Sequence, residues 1–212
     1  MPIIVPSTPT GAFASIDDVT GYALTTLSDA QQARAEKLLL VAANKIRSYT
    51  RQNFDHATTT DKVRAIGNLV RLPQRPVIAV TGVKLIDYLG NEWPVPAYGF
   101  DGIDRLDLAL YGTVLNLPEA VSLEGYWSGT VEVTYEHGYL AVPQEIVDLN
   151  AELVARIFNS PTQGVVGVRS QGVGPYNVSL DPATGGGMIV LTAEDKATLD
   201  RYRSFGQTVE LR

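Results

Sequence analysis

The stretch SDAQQARAEKLLLVAANKIRSYT, residues 28–50, is the part of the sequence that most strongly constrains the fold. Its apolar residues recur at intervals of three and four, which places them along one side of an α-helix. They are Ala35, Leu38, Leu39, Ala42, Ile46 and Tyr49. Ser28 followed by Gln31 has the spacing of a capping box. The stretch therefore predicts an amphipathic helix of about 24 residues.

Three more helices are predicted. One precedes this stretch and begins after Ser15, and two follow it, beginning at Pro143 and after Thr192. Ser15 and Thr192 are each followed three positions later by an aspartate, which again fits a capping box. Proline suits the first turn of a helix because its missing N–H has no intrahelical partner there. The helix that starts at Pro143 is expected to end at Asn159.

Between residues 61 and 136 the apolar pattern changes to the alternation that is typical of half-buried strands. The predicted strands are residues 69–72, 77–86, 93–96, 104–110, 113–117 and 131–136. Short antiparallel strands of this kind indicate a small sandwich or barrel. Another strand is expected at 176–180, after a glycine-rich stretch.

The predicted fold class is α+β: a small helical bundle with an inserted antiparallel β domain, sandwich-like or barrel-like. Residues 15–60 and 137–212 form the expected helical core, and residues 61–136 form the inserted β region. Residues 1–14 contain three prolines and are expected to form an extended arm. A loop or hairpin before residue 176 and a C-terminal tail complete the expected organisation.

The composition excludes several kinds of site. The 212-residue chain has no cysteine, which excludes disulfides, thiolate metal sites and a cysteine nucleophile. Its two histidines, His56 and His137, are too few for a multi-histidine metal centre, and a serine–histidine–acid triad would need one of them. No apolar run approaches the roughly 18 residues of a membrane span, and no signal peptide is recognised. We expect a protein that is made in the cytoplasm and has no membrane partner.

Other candidate chemistry is weak. Residues 167–174, GVRSQGVG, lack the Gly-Lys-Ser/Thr ending of a P-loop. Asp101, Asp104 and Asp107 recur at every third position, but the pattern of an EF-hand calcium loop is absent, so we expect solvated acids. A hydrolase with two spatially paired carboxylates stays possible in principle, although no pair is singled out. The sequence predicts no catalytic, cofactor-binding or metal-ligating residue.

Charge and aromatic residues are both concentrated in the β region. Residues 87–136 contain nine acids and one base, Arg105, a net charge of −8 within a chain of −6. Such a block should repel nucleic acid rather than bind it. Trp93 and Trp127 are candidate exposed aromatics, so a carbohydrate- or peptide-binding β-module with helical flanks is an alternative function. The other interpretation is that the aromatic residues fill the core and edges of a small sandwich.

Five residue strings occur in a fixed order along residues 46–203. They are Ile46-x-x-Tyr49-Thr50-Arg51-x-x-Phe54; Leu72-Pro73-x-x-Pro76-Val77-x-x-Val80-x-x-Val83; Val142-Pro143-x-x-Ile146 with Ala155-Arg156-Ile157-Phe158-Asn159-x-Pro161; Gly167-Val168-x-Ser170-x-Gly172-Val173-Gly174-x-Tyr176-x-Val178-Ser179; and Leu191-Thr192 with Leu199-x-x-Tyr202-Arg203. As an ordered set they resemble the head-to-tail adaptor (connector) proteins of long-tailed bacteriophages. Two features depart from the family pattern: the first string lacks a glycine, and the stretch from about 87 to 129 departs from compact, mostly helical members.

The resemblance implies a structural virion protein of the neck, not an enzyme and without a cofactor. It implies a ring, twelve copies in the family, that binds the portal on one side and a stopper or tail-completion protein on the other. DNA would cross the lumen without sequence-specific contacts. The candidate residues for the portal or subunit interface are Arg169, Ser170, Tyr176, Arg201, Tyr202 and Arg203.

Overall fold

The computed structural model describes residues 11–24, 26–86, 90–95, 97–108, 130–159, 170–173, 176–179 and 189–203. Its helices and antiparallel sheets confirm the predicted α+β class. The chain divides into two compact units. Residues 1–50 and 142–201 form one, here called the helical unit, and residues 51–141 and 202–212 form the other, the β unit.

The described part of the helical unit contains four helices and one hairpin. Their bounds are α1 (Ile16–Tyr22), α2 (Asp29–Thr50), α3 (Gln144–Asn159), α4 (Ala193–Asp200), β8 (Ser170–Val173) and β9 (Tyr176–Ser179). The capping boxes expected at Ser15 and Thr192 are both formed. The N–H of Ser28 donates to Gln31 Oε1 at 2.9 Å, which places the start of α2 as predicted. Local sequence signals therefore determine where these helices begin.

The buried side chain of Asn150 on α3 connects three segments of the helical unit. Its Nδ2 donates to the carbonyl of Leu39 on α2 at 3.1 Å. Its Oδ1 accepts the N–H groups of Phe13 and Ala14, at 3.2 and 3.1 Å. Residues 12–14, the end of the expected arm, are therefore buried beside the helices. Because an unpaired amide is costly to bury, this arrangement fixes the chain entering α1.

The described part of the β unit contains two sheets whose neighbouring strands are all antiparallel. The strands are β1 (Ala57–Arg64), β2 (Leu69–Arg71), β3 (Val77–Ile86), β4 (Glu92–Pro94), β5 (Gly99–Phe100), β6 (Arg105–Asp107) and β7 (Thr130–His137). One sheet has the order β1-β7-β3-β4 and the other has the order β2-β6-β5. Neither sheet closes into a barrel within the described residues, so the sandwich-like alternative is the one that applies.

The core of the β unit follows from alternation along β7. Val131, Val133 and Tyr135 are buried, as expected, while the residues between them are half-buried. The predicted strands 93–96 and 104–110 are shorter in the structure, and 113–117 lies outside the described residues. One strand, β1, has no counterpart in the sequence-based prediction, which expected helical core as far as residue 60.

Candidate assembly interface

Arg201, Tyr202 and Arg203, the predicted interface residues that follow α4, all contact residues of their own chain. In the helical unit the Arg201 guanidinium donates to the carboxylate of Glu145 on α3. In the β unit the ring of Tyr202 meets Phe54 edge-on, with ring centroids 5.5 Å apart. An edge-to-face pair at this distance is a favourable aromatic contact. The Arg201 contact therefore lies within the helical unit, and the Tyr202 contact lies within the β unit.

Arg75 holds the end of the same segment and belongs to a charged cluster in the β unit. Its Nη2 donates to the main-chain carbonyl of Arg203 at 2.6 Å, and its Nη1 lies 3.6 Å from Asp104 Oδ2. The Nε of Arg71 lies 3.4 Å from the same carboxylate oxygen. Asp104 is only 6% exposed, so the expectation of a solvated acid is wrong at this position. Its burial is tolerated because two guanidinium groups compensate the charge.

Asp101 shapes the turn that leads into β6. Its Oδ1 accepts three main-chain N–H groups, from Ile103 at 2.8 Å and from Asp104 and Arg105 at 3.0 Å. Burial alone would raise the pKa of Asp101, but these donors and the charge of Arg105 hold it below the ordinary value. The Asp101 carboxylate therefore stabilises the turn through hydrogen bonds to the main chain. In the described part of the chain no group of three or more acids and histidines could hold a metal ion.

A row of opposite charges crosses the four-stranded sheet. Glu132 on β7 lies between Lys62 on β1, at 3.8 Å, and Lys84 on β3, at 3.5 Å. Lys84 Nζ also lies 2.8 Å from Glu92 on β4. Exposed ion pairs contribute little to stability, but they do neutralise these acids. The bases come from strands that precede the −8 block in sequence, so the block is less acidic in space than along the chain.

The described aromatic residues of the β unit are at least half-buried. Trp93 on β4 packs against the core of the unit, as do Tyr98 and Phe100. The hydroxyl of Tyr98 also donates to the carbonyl of Val80 at 3.0 Å. Trp127 lies outside the described residues. These positions favour the interpretation of aromatics as core and edge residues over that of a ligand-binding surface.

The two histidines differ in environment. His56 is exposed, whereas His137 is completely buried and neither of its ring nitrogens has a hydrogen-bond partner in the described structure. Burial lowers the pKa of His137, so the neutral ring is favoured. A triad histidine needs one nitrogen on the nucleophile and the other on an acid, and His137 has neither contact. Beside it, Tyr135 donates its hydroxyl to Asp61 Oδ2 at 2.6 Å.

The other predicted interface residues lie in the glycine-rich stretch or directly after it. Arg169 lies outside the described residues, Ser170 begins β8 and Tyr176 begins β9. The two strands form an antiparallel hairpin in which Ser170 is opposite Ser179 and Val173 is opposite Tyr176. The structure therefore places Ser170 and Tyr176 in one hairpin and Arg201 to Arg203 in another segment.

The Arg75–Asp104–Arg71 cluster has no signal in the sequence, because its members come from separate strands and loops.

No helix in the described part of the chain has both the length and the apolar character that a membrane crossing requires. No protein-family model matches the chain, and no curated protein sequence is significantly similar to it.

Solved structures do match. A chain from the neck of an empty gene transfer agent particle, computed with C6 symmetry, aligns at 21% identity over 95% of this chain and 94% of that one, with a TM-score of 0.52. The fold is that of a gene transfer agent neck component. A chain from the virion of a native gene transfer agent particle aligns at 18% identity over 96% of this chain and 94% of that one, with a TM-score of 0.53. In fold, the expected resemblance to a neck protein of a phage-like particle is confirmed.

Proposed function

We propose that this protein is a head-to-tail adaptor of a phage-like particle, a structural component of the virion neck rather than an enzyme. The observation that carries the proposal is the alignment over 95% of this chain and 94% of the neck component. Such coverage includes both the helical unit and the β unit. The similarity therefore extends beyond a common helical arrangement. The ordered strings that resemble head-to-tail adaptors support the same function.

In this proposal copies of the chain form a ring, twelve by analogy with the family, at the head–tail junction. The portal lies on one side and a stopper or tail-completion protein on the other. Each contact between copies is heterologous, and the rotation between copies closes the ring. DNA passes through the lumen, and the mutual neutralisation of Glu132 with Lys62 and Lys84 suits a wall that neither holds nor strongly repels it.

Arg201, Tyr202 and Arg203 stay proposed contact residues, together with Arg169, Ser170 and Tyr176. Arg201 and Arg203 are exposed, whereas Tyr202 is half-buried against Phe54. The ring of Tyr202 and the carbonyl of Arg203 hold the segment in place. Arg201 and Arg203 both carry positive charge, and Glu145 compensates that of Arg201. An acidic surface of the portal is the kind of partner that such a segment would bind.

Electron cryomicroscopy of necks purified from particles tests the proposal. The expected result is this chain in cyclic copies, in contact with the portal. Native mass spectrometry of the recombinant chain with its portal gives the copy number, and twelve chains of 22.9 kDa correspond to about 275 kDa. A particle that lacks this chain, or holds it only as isolated monomers, contradicts the proposal.

A further inference from the structure

The four-stranded sheet of the β unit ends at β1, beside which no further strand lies in the described part of the chain. β1 is 8 residues long and pairs with β7 from Ala57 to Arg64 without a register shift. Among the described residues, no backbone group from Ala57 to Val63 bonds to any segment other than β7. Every second residue of such a strand directs its N–H and C=O outward, so residues 57–63 present a row of donors and acceptors that have no partner in the described part of the chain.

The two described edges of this sheet differ in how they are protected. The edge strand β4 has only 3 residues, and one of them is Pro94, which has no N–H to donate. β1 contains neither proline nor a bulge. Its first half, Ala-Thr-Thr-Thr at residues 57–60, is uncharged and rich in β-branched side chains, which favour strand pairing. The long edge is therefore the one that can accept another strand.

The hairpin of the helical unit also has strand edges that can pair with a further strand. β8 and β9 pair with each other and with no third strand in the described part of the chain. A two-stranded hairpin is at best marginally stable in water without a further surface. Its eight strand residues, SQGV and YNVS, include no charged residue and no proline, the usual protections of a free edge.

We propose that hairpin β8–β9 of one copy pairs with β1 of the next copy, so that the four-stranded sheet gains two strands at each subunit contact. The inference rests on the ring proposed above and identifies where neighbouring copies bind. The two partners are different surfaces of one chain, so the contact is head-to-tail and repeats around the ring. Backbone hydrogen bonds supply the affinity, which explains why neither edge needs an apolar pocket.

Disulfide cross-linking in assembled rings tests the contact directly, because the chain has no cysteine of its own. Thr58→Cys or Thr60→Cys on β1 is combined with Gln171→Cys on β8 or Asn177→Cys on β9. These four double variants sample both strands of the hairpin. After oxidation we expect a ladder of covalent multimers on a denaturing gel from at least one of them. The matched control combines the same hairpin cysteines with Glu92→Cys on β4 and is expected to stay monomeric.

Hydrogen exchange gives an independent measurement on the wild-type chain. In the ring, the amides of β1 and of the hairpin should exchange at least about tenfold more slowly than in the dissociated chain, while those of β4 stay unchanged. Rings that form without cross-links and without protection of β1 overturn the inference and leave the adaptor function standing. If the amides of β1 are protected from exchange but those of the hairpin are not, the hairpin is not the partner of β1, and the inference is overturned. Absence of a ring in the presence of the portal overturns the adaptor function itself.

Discussion

Arg156 on α3 and Asp195 in the first turn of α4 form a two-pronged ion pair. Nη1 lies 2.7 Å from Oδ2, and Nη2 lies 2.9 Å from Oδ1. Asp195 is 4% exposed and also accepts the N–H of Thr192 at 2.8 Å, closing the capping box of α4. Burial alone would raise the pKa of Asp195, but Arg156 and Thr192 hold it below the ordinary value. The Asp195 carboxylate therefore both caps the N-terminus of α4 and binds α4 to α3 through the ion pair.

Replacing this carboxylate should loosen α4. We expect Asp195→Asn to lower the free energy of unfolding of the helical unit by about 1–3 kcal/mol, because the amide cannot replace both charged hydrogen bonds. Urea denaturation followed by circular dichroism measures the change. Glu194→Gln, a neighbouring exposed acid in the same first turn, is the matched control. Equal losses in the two variants would show that only negative charge near the helix start matters.

The buried ring of His137 predicts weaker stability of the β unit in mild acid. Burial lowers its pKa, the charge of Asp61 opposes that shift and His56 adds to it. Because the unfolded chain, with a histidine pKa of about 6.5, binds the proton first, stability falls as the pH drops from there through the folded value. Denaturation midpoints between about pH 5 and 7 should show this slope.

Substitution of the histidines isolates the cause of that slope. His137→Phe retains a ring of similar size and removes the titrating group, so its profile over the same pH range should be flatter. His56→Gln changes an exposed side chain and removes only the smallest contribution to the lowered pKa of His137, so it should keep most of the wild-type slope. A His137→Phe protein whose pH profile matches the wild type would refute the assignment.

Gly138 should tolerate no side chain. Its φ is +92°, and an added Cβ would overlap the carbonyl oxygen of Asp55 and lie 2.7 Å from the carbonyl carbon. We expect Gly138→Ala to cost about 3 kcal/mol or more, since the blocking atoms are backbone. Gly102 has a similar φ of +80° with open space around the Cβ position, so Gly102→Ala should cost only about 1–2 kcal/mol of backbone strain. Thermal denaturation of both variants compares the two effects.

Removal of the Tyr202 ring should expose the segment that follows α4. Trypsin cleaves after arginine, and Tyr202 lies between Arg201 and Arg203. We expect Tyr202→Ala to speed cleavage at these sites several-fold, because the contact with Phe54 is lost. Tyr22→Ala, at an exposed tyrosine of the helical unit, is the control. Unchanged cleavage in Tyr202→Ala would show that the carbonyl bond to Arg75 suffices.

The helices could be predicted because their signals are local. The capping residues Ser15 and Thr192 lie three positions from their partners, and the apolar stripe of α2 is continuous in sequence. β1 could not be predicted in this way, since Thr59 and Asp61 occupy inward positions where an apolar residue is expected. Asp61 is tolerated there because Tyr135, on a strand far along the chain, donates a hydrogen bond to it.

The charges, too, could not be placed from the sequence alone, because most of their partners are distant along the chain. Counting acids in the window 87–136 predicts a strongly negative face, yet bases from earlier strands and an earlier turn compensate three of those acids in space. The acids are Glu92, Asp104 and Glu132, and the bases are Lys62, Arg71, Arg75 and Lys84. A window along the sequence cannot identify partners that antiparallel pairing brings together. The proposed interface residues depend on other chains, which the sequence of one chain does not contain.

The division of the helical unit into residues 1–50 and 142–201 sets an order for folding during translation. At about 5–20 residues per second, the ribosome takes on the order of ten seconds to make the intervening residues 51–141. During that time α3 has not yet been made, so Leu39 and Ile46 of α2, which are buried in the folded chain, stay exposed. Strands β1 to β7, in contrast, emerge one after another. The β unit can therefore acquire its core first. The uncovered side of α2 is the surface that a nascent-chain chaperone would meet.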